Sequence, residues 1–378
     1  MYLQPKVLID TISLLSPLTG IGKYTYELSN ILKDRLDIEF FYGYYSKELI
    51  EPSTHQGIKG LKSTINRFPF IKKIFREILF VSSRLFATQY DLYWQPNFIP
   101  NRGVKAKKIV TTVHDFSFFI HRDFHPKETL EYFDNNFYQN IYRSDFIITG
   151  SQYTKNEIVD RLDFAEDKIQ VIYHGVNHNI FKPYKDIALD FKLPTKFILS
   201  VGSIEPRKNL LGLLKAYNLL DKKIKEEYKL ILVGFKGWEN REIIVLINSN
   251  KAYIDYLGFI STEDLAKVYN LATCFVYPSF YEGFGLPIAE AMACGTAVVS
   301  SNSSSLPEVG GESVVYCNPH SIEDIKEKIE MVLTDEALRE TLEKKGLERA
   351  KERAKLFSWE KSAQEHLEVF KKLSKGYS

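Results

Sequence analysis

The sequence predicts an α/β protein built from two doubly wound, Rossmann-like domains that face each other across a cleft. Three observations lead there. Short β-branched or aromatic runs alternate with amphipathic helical stretches along the chain, the pattern of βαβ units and parallel sheets. At 378 residues the chain is too long for one ordinary core and suits two domains of typical size. The alternation pauses between Asn177 and Leu193, a polar stretch containing Pro183 and followed by Pro194, which reads as a linker.

Taken in order, the strand candidates of the first half are Val7–Asp10, Ile38–Tyr42, Asp91–Trp94, Lys108–His114, Asp145–Thr149 and Lys168–Tyr173. Those of the second half are Phe197–Val201, Lys229–Val233, Ile254–Gly258, Cys274–Tyr277, Ala297–Ser300 and Ser313–Tyr316. The implied division is 1–180, 181–356 and a terminal segment 357–378. Ligands of doubly wound sheets lie beyond the carboxyl ends of the strands, so two opposed sheets place a site between them. Ser358-Trp359-Glu360 opens an amphipathic helix running to about Leu373; its tryptophan either pins the helix across the hinge or anchors it in a core.

Composition excludes some classes. A formal net charge of +2 gives no global reason to expect nucleic acid as partner. The abundance of Phe and Tyr fits either sugar-stacking surfaces or a core of large side chains. Cys274, Cys294 and Cys317 form no paired motif and are odd in number, so they read as reduced, buried and inert, which implies the cytoplasm. A strand pattern begins almost at the first residue, and no apolar run is long enough to span a bilayer. Neither a signal peptide nor a membrane span is expected.

Four features fall at strand ends. The first is Thr19-Gly20-Ile21-Gly22-Lys23-Tyr24, between the first strand and a helix expected to start near Lys23. Gly20 and Gly22 let a backbone approach a phosphate at a helix's positive end, or simply shape a turn. Thr25 stands where a dinucleotide fingerprint would need its third glycine, which disfavours a dehydrogenase. The second is Gly202-Ser203-Ile204-Glu205-Pro206-Arg207-Lys208-Asn209. Two adjacent cations expected to open a helix oppose its macrodipole, a conflict that a bound diphosphate removes; otherwise they are solvated surface charges.

The third feature runs from Pro278 to Gly295 and is the sharpest. A strand leads into a glycine-rich loop, Pro287 fits the first turn of a helix, and Gly295 ends it. Backbone N–H groups of Gly285 and Leu286 can point at donor phosphates. Glu290, expected in the helix's first turn, can take both hydroxyls of a ribose or merely complement the dipole, and Glu282 before the turn can reach a sugar hydroxyl. The fourth is Thr112-Val113-His114-Asp115, whose His-Asp step either points into the cleft or is structural. His121 and His125 lack the companions of a metal site.

Together these residues resemble the family-four retaining glycosyltransferases, which have the GT-B fold, with a C-terminal helix crossing back to the N-terminal domain. The likeness covers nearly the whole chain. Its most specific part is the pair Glu282 and Glu290 around Gly283-Phe284-Gly285-Leu286-Pro287. The resemblance implies that residues 1–180 bind the acceptor and 181–356 the nucleotide sugar. It gives Glu290 the donor ribose, Glu282 the hydroxyls of the transferred sugar, and His114 a hydrogen bond near the reacting centre. Gly20 and Gly22 would lie near the diphosphate, and Gly258, Phe259 and Ile260 would cup the base. The catalytic set is then His114, Glu282, Arg207 and Lys208. One departure stands out: Ser203 occupies the place where many members carry an arginine, so Arg207 beside Lys208 supplies that charge.

The wording of the Ser203–Asn209 segment is similar to bacterial polysaccharide mannosyltransferases that use GDP-mannose. That implies transfer of a hexose to a glycan or polyprenyl-linked acceptor in surface polysaccharide synthesis. No Asp-x-Asp occurs in the chain, so no metal and no cofactor beyond the co-substrate are expected. No residue is clearly placed as a carboxylate nucleophile, and the resemblance implies front-face attack instead. Competing readings are a sugar-nucleotide epimerase of the same fold and a catalytically silent sugar-nucleotide-binding, membrane-associated protein. Finally, residues 58–87 interleave Lys59, Lys62, Arg67, Lys72, Lys73, Arg76 and Arg84 with Phe68, Phe70, Ile71 and Phe75. This reads as a stretch lying on an anionic membrane, or as a helix pair with a solvated basic face. The first reading makes the protein peripheral on the cytoplasmic face.

Overall fold

The computed structural model describes residues 5–15, 20–51, 89–235, 237, 241–354 and 356–374. The basic stretch 58–87 and Thr19 lie outside the described residues.

Two sheets, parallel apart from the short edge strand β3, carry the architecture. The first has seven strands in the order β3-β2-β1-β4-β5-β6-β7. They are β1 (Lys6–Asp10), β2 (Asp37–Phe41), β3 (Tyr45–Ser46), β4 (Tyr90–Gln95), β5 (Ala106–Val113), β6 (Phe146–Thr149) and β7 (Ile169–Val171). The second has six in the order β10-β9-β8-β11-β12-β13. Its members are β8 (Phe197–Val201), β9 (Lys229–Val233), β10 (Ile254–Gly258), β11 (Cys274–Tyr277), β12 (Val298–Ser301) and β13 (Val315–Cys317). Strand order reverses between β1 and β4 in one sheet and between β8 and β11 in the other, so each has a switch point where a ligand site belongs.

The strands β8, β9, β10 and β11 match the expected ones residue for residue. The apolar runs of β8, β9 and β11 are mostly buried on both faces, as parallel strands between helical layers are, whereas β10 at the sheet edge buries only Ile254. β3 was not foreseen: it is a two-residue antiparallel edge on β2, too short to carry a periodic signal. β5 stops at Val113 and leaves His114 just beyond the strand end.

The helices that shape the cleft are α1 (Gly20–Leu32), α2 (Gln152–Leu162), α3 (Leu210–Asn218), α4 (Leu286–Cys294), α5 (Leu306–Gly310) and α6 (Trp359–Ser374). α6 packs on the first sheet. Trp359, Ala363, Leu367 and Phe370 recur at helical spacing and join Val7, Ile9, Trp94, Tyr24 and Leu28 in one buried cluster. His366 lies inside it. Its Nδ1 donates to Ser362 O (2.7 Å), so its Nε2 accepts from the Tyr24 hydroxyl (2.8 Å), and burial pushes it down to about 4. It therefore sits there as a neutral ring.

Trp359 does both jobs left open by the sequence. It is buried in the N-terminal core, and the chain beside it crosses the outgoing segment, with Val176 N donating to Phe357 O at 2.9 Å. The two crossing strands of chain meet at Gly175, where a Cβ would stand 2.2 Å from Trp359 N and 2.6 Å from its indole. Only glycine fits. Gly175→Ala should cost about 1–3 kcal/mol through overpacking, read as a fall of several degrees in the melting midpoint; an unchanged midpoint would show that the crossing yields freely.

Candidate active site

The site begins where β8 ends. A Cβ on Gly234 would lie 1.9 Å from Gly202 O, so glycine is required for the ends of β8 and β9 to touch. Beyond Gly202, Ser203 lines an open pocket with Val233, Tyr256, Tyr277 and Lys208. Arg207 and Lys208 do not open the following helix as expected. Pro206–Lys208 form a single 3-10 turn, and Asn209 takes a left-handed conformation (φ 54°) before α3 starts. Asparagine tolerates that geometry, and here its side-chain amide donates to Pro278 O (3.0 Å) and Pro319 O (2.7 Å). The turn aims both cations away from the helix and towards the glycine-rich loop.

What they meet is Glu282. Arg207 Nη1 donates to Glu282 Oε2 at 2.8 Å, and Lys208 Nζ donates to Oε1 at 2.7 Å. The Tyr277 hydroxyl donates to the same Oε1 at 2.8 Å and accepts from Lys208 at 2.7 Å. Arg207 also reaches Tyr281 O (2.9 Å) and, through Nη2, Glu205 Oε1 (3.0 Å). Glu282 is only 6% exposed. Burial alone would raise its carboxyl, but the Arg207 and Lys208 charges outweigh burial and hold it at about 2. Two cations and two carboxylates, Glu205 and Glu282, balance one another in a nearly dry cluster.

The loop carrying Glu282 is fixed from below. Ser304 Oγ accepts from Glu282 N (2.8 Å), and Ser305 Oγ donates to the carbonyls of Glu282 (2.8 Å) and Phe284 (2.9 Å). Gly285 (φ 109°) caps α4, Leu286 and Pro287 open it, and Gly295 (φ 81°) closes it, as expected for this loop and helix. Glu290 departs from expectation. It lies one turn beyond the start of α4, where the dipole argument does not reach, and it is 6% exposed. Its Oε1 accepts from Lys23 Nζ of α1 at 2.8 Å.

Gly283 and Phe284 face the N-terminal domain. A Cβ on Gly283 would fall 2.0 Å from His114 O, and the Phe284 ring stacks on His174 at 5.0 Å. Next to them the Tyr281 hydroxyl donates to the Glu157 carboxylate of α2 and accepts from Phe116 N (3.0 Å). His114 itself is 7% exposed, donates through Nε2 to Pro96 O (2.7 Å) and touches the rings of Tyr24, Phe98 and His174. Burial lowers its pKa, so it is a neutral ring whose remaining nitrogen is an acceptor. Asp115 instead accepts from Ser117 N and Oγ.

Gly20 and Gly22 sit in the first turn of α1 rather than in a loop before it, because the helix begins at Gly20 and not near Lys23. Among the described residues a Cβ at Gly20 would meet nothing within 4 Å. At the far end of the site, Gly258 (φ 73°) turns the chain out of β10. Phe259, 52% exposed, stacks on Phe235 at 4.5 Å and 18°. Ile260 packs back on the second domain's core.

Sequence reasoning missed Tyr277, Glu205, Tyr281, Lys23, Ser304, Ser305 and Phe235. Tyr277 and Tyr281 flank the recognised loop, and a hydroxyl within five residues of a candidate catalytic carboxylate was a usable signal. The Lys23–Glu290 pair spans the two domains, and nothing local announces it. The three cysteines are free and buried, with burial pushing Cys274 and Cys317 up to about 12. Among the described residues no group of three or more His, Cys, Asp or Glu is arranged to hold a metal, and no helix is long and apolar enough to cross a membrane.

Two doubly wound sheets that close on one charged loop are the layout of a GT-B glycosyltransferase, and the chain's relatives agree. Residues 18–180 match the family described as Glycosyltransferase Family 4, and residues 181–349 match Glycosyl transferases group 1. The chain is 33% identical over 387 aligned residues to O-antigen chain mannosyltransferase B of Escherichia coli, covering 97% of this chain and 100% of that protein. It belongs to the family-four glycosyltransferases. Solved structures show the same fold: a sucrose-phosphate synthase from Thermosynechococcus elongatus (TM-score 0.72, 22% identity, covering 99% of this chain and 100% of that one). Anabaena Alr3699/HepE, solved in complex with UDP-glucose, superposes with a TM-score of 0.67 at 15% identity, covering 97% and 100%.

Because Glu282 is depressed in the folded protein, its pairing contributes stability that is complete above the ordinary value of 4.5 and is lost as pH falls towards about 2. Melting midpoints of Glu282→Gln should therefore lie below wild type at pH 6 and approach it near pH 2. A constant gap across that range would contradict the assignment.

Proposed function

We propose that this enzyme transfers mannose, with retention and without a metal, from GDP-mannose to a glycan or polyprenyl-linked acceptor in surface polysaccharide synthesis of the O-antigen type. The observation that carries the proposal is the buried Arg207–Glu282–Lys208 cluster at the end of β8. The choice of mannose is supported by the full-length relative, which is named an O-antigen mannosyltransferase. It is supported too by the likeness of the Ser203–Asn209 wording to enzymes that use GDP-mannose.

On this reading the donor lies along the carboxyl ends of β8, β10 and β11. Glu290 takes the ribose, Gly258, Phe259 and Ile260 border the base, and Arg207, Lys208, Ser203 and the first N–H groups of α4 receive the diphosphate. The bond from the anomeric carbon to the β-phosphate oxygen breaks as the acceptor oxygen bonds to the same face of that carbon. The acceptor's proton passes to the departing phosphate. Fixed cations in a closed site stabilise this leaving charge without reorganising, which is where electrostatic catalysis is strongest. His114, as a neutral ring, orients the sugar through hydrogen bonding. Arg207 and Lys208 take the place a divalent cation would fill. Residues 58–87 hold the enzyme on an anionic membrane beside a lipid-linked acceptor.

Glu282 has two tasks under this proposal: it spaces the cations and contacts the transferred sugar. Removing it leaves two buried cations that still attract a diphosphate. Glu282→Ala should therefore lose about 10²–10³-fold in turnover while keeping most donor affinity, whereas Lys208→Ala loses both. The check is GDP release from GDP-mannose with a mannan-oligosaccharide acceptor, in EDTA, with UDP-glucose as the competing donor. Activity restored only by manganese, preference for UDP-glucose, or wild-type turnover in Glu282→Ala would each contradict part of the proposal.

A further inference from the structure

Lys23 stands where a lysine is electrostatically misplaced. It lies in the first turn of α1, at the positive end of the helix, and its side chain is only 18% exposed. Two contacts offset that cost, and both come from the other side of the cleft. Its Nζ donates to Glu290 Oε1 at 2.8 Å and lies 5.0 Å from the centroid of the Phe181 ring.

Seen from Glu290, the arrangement is lopsided. One carboxylate oxygen is held by Lys23; the other makes no hydrogen bond to a described residue and is not among the buried unpartnered atoms, so it lies open to solvent or ligand. An oxygen left open in this way is free to accept from a hydroxyl donor of a ligand. Beside Lys23 opens an interdomain cleft of about 260 Å³, lined by Lys23, Tyr26, Asn177, Ile180 and Thr262 and by the carboxylates of Glu27, Glu51 and Glu263. Its walls come from both domains.

We propose that Lys23 is a positioning residue of the donor site. It fixes Glu290 by one oxygen so that the other faces a ribose hydroxyl of the nucleotide. This rests on the ribose role proposed for Glu290, and it adds a consequence: the ribose site is complete only when α1 has closed on α4. Donor affinity is thereby coupled to domain approach through a residue of the opposite domain that need not touch the nucleotide.

Calorimetric titration of the full-length protein with GDP and with 2′,3′-dideoxy-GDP tests this, with UDP and its dideoxy form as parallel arms. Lys23→Met should weaken binding of the ribose nucleotide by about tenfold, the loss expected for a charge-assisted hydrogen bond acting through Glu290. It should leave the dideoxy form at wild-type affinity. Lys23→Arg, which keeps charge and reach, should restore most of the loss, and matched melting midpoints confirm folded variants. Equal losses towards ribose and dideoxy nucleotides would overturn the proposal, because Lys23 would then act on phosphate or on the fold. If Glu290→Gln weakens ribose-nucleotide binding and Lys23→Met does not, the positioning role falls and the ribose role of Glu290 stands. If neither variant changes affinity, both fall.

Discussion

The grip of Glu282 on Arg207 and Lys208 is the constraint on which the rest of this structure turns. Four ionised groups share a small, nearly dry volume between the ends of β8 and β11. Buried ion pairs of this kind add little net stability, because desolvation consumes most of the attraction. Their value lies in position. Pro206 and the left-handed Asn209 swing the cations off the helix, Ser304 and Ser305 fix the opposing loop, and Tyr277 bridges both. The result is two fixed positive groups at a sheet's switch point, held before any substrate arrives.

That cluster would be an open-sided feature of one domain were it not for the N-terminal domain's approach. Gly283 lets the loop touch His114 O, Tyr281 reaches Glu157 and Phe116 N, and Glu290 meets Lys23. Each glutamate of the pair is therefore braced from the N-terminal side, Glu282 through its loop neighbours and Glu290 directly. α6 reinforces the same approach from behind, because the chain returns past Gly175 to bury Trp359 in the N-terminal core. Packing, charge and chain crossing all favour one arrangement of the domains.

Much of this was legible in the sequence because parallel strands and glycine-rich loops are local signals. Four strands of the second domain, β8 to β11, appear at their expected bounds, since runs such as Phe197–Val201 and Cys274–Tyr277 are continuous apolar stretches, whereas β12 and β13 start one and two residues later than expected. The Gly285–Gly295 helix follows from proline at its start and glycine at its end. The misreadings differ in cause: the turn holding Arg207 and Lys208 is tied to Glu282 on a loop far along the chain, whereas the depth of Glu290 follows from the start of α4 at Leu286. The Lys23–Glu290 bridge separates residues by 267 positions and could be found only in three dimensions.

The most direct measurement is a crystal structure of the enzyme soaked with GDP. The account predicts a β-phosphate within hydrogen-bond distance of Arg207 and Lys208, with Glu290 on the ribose. A nucleotide bound elsewhere, with Arg207 and Lys208 still closed on Glu282, would contradict it.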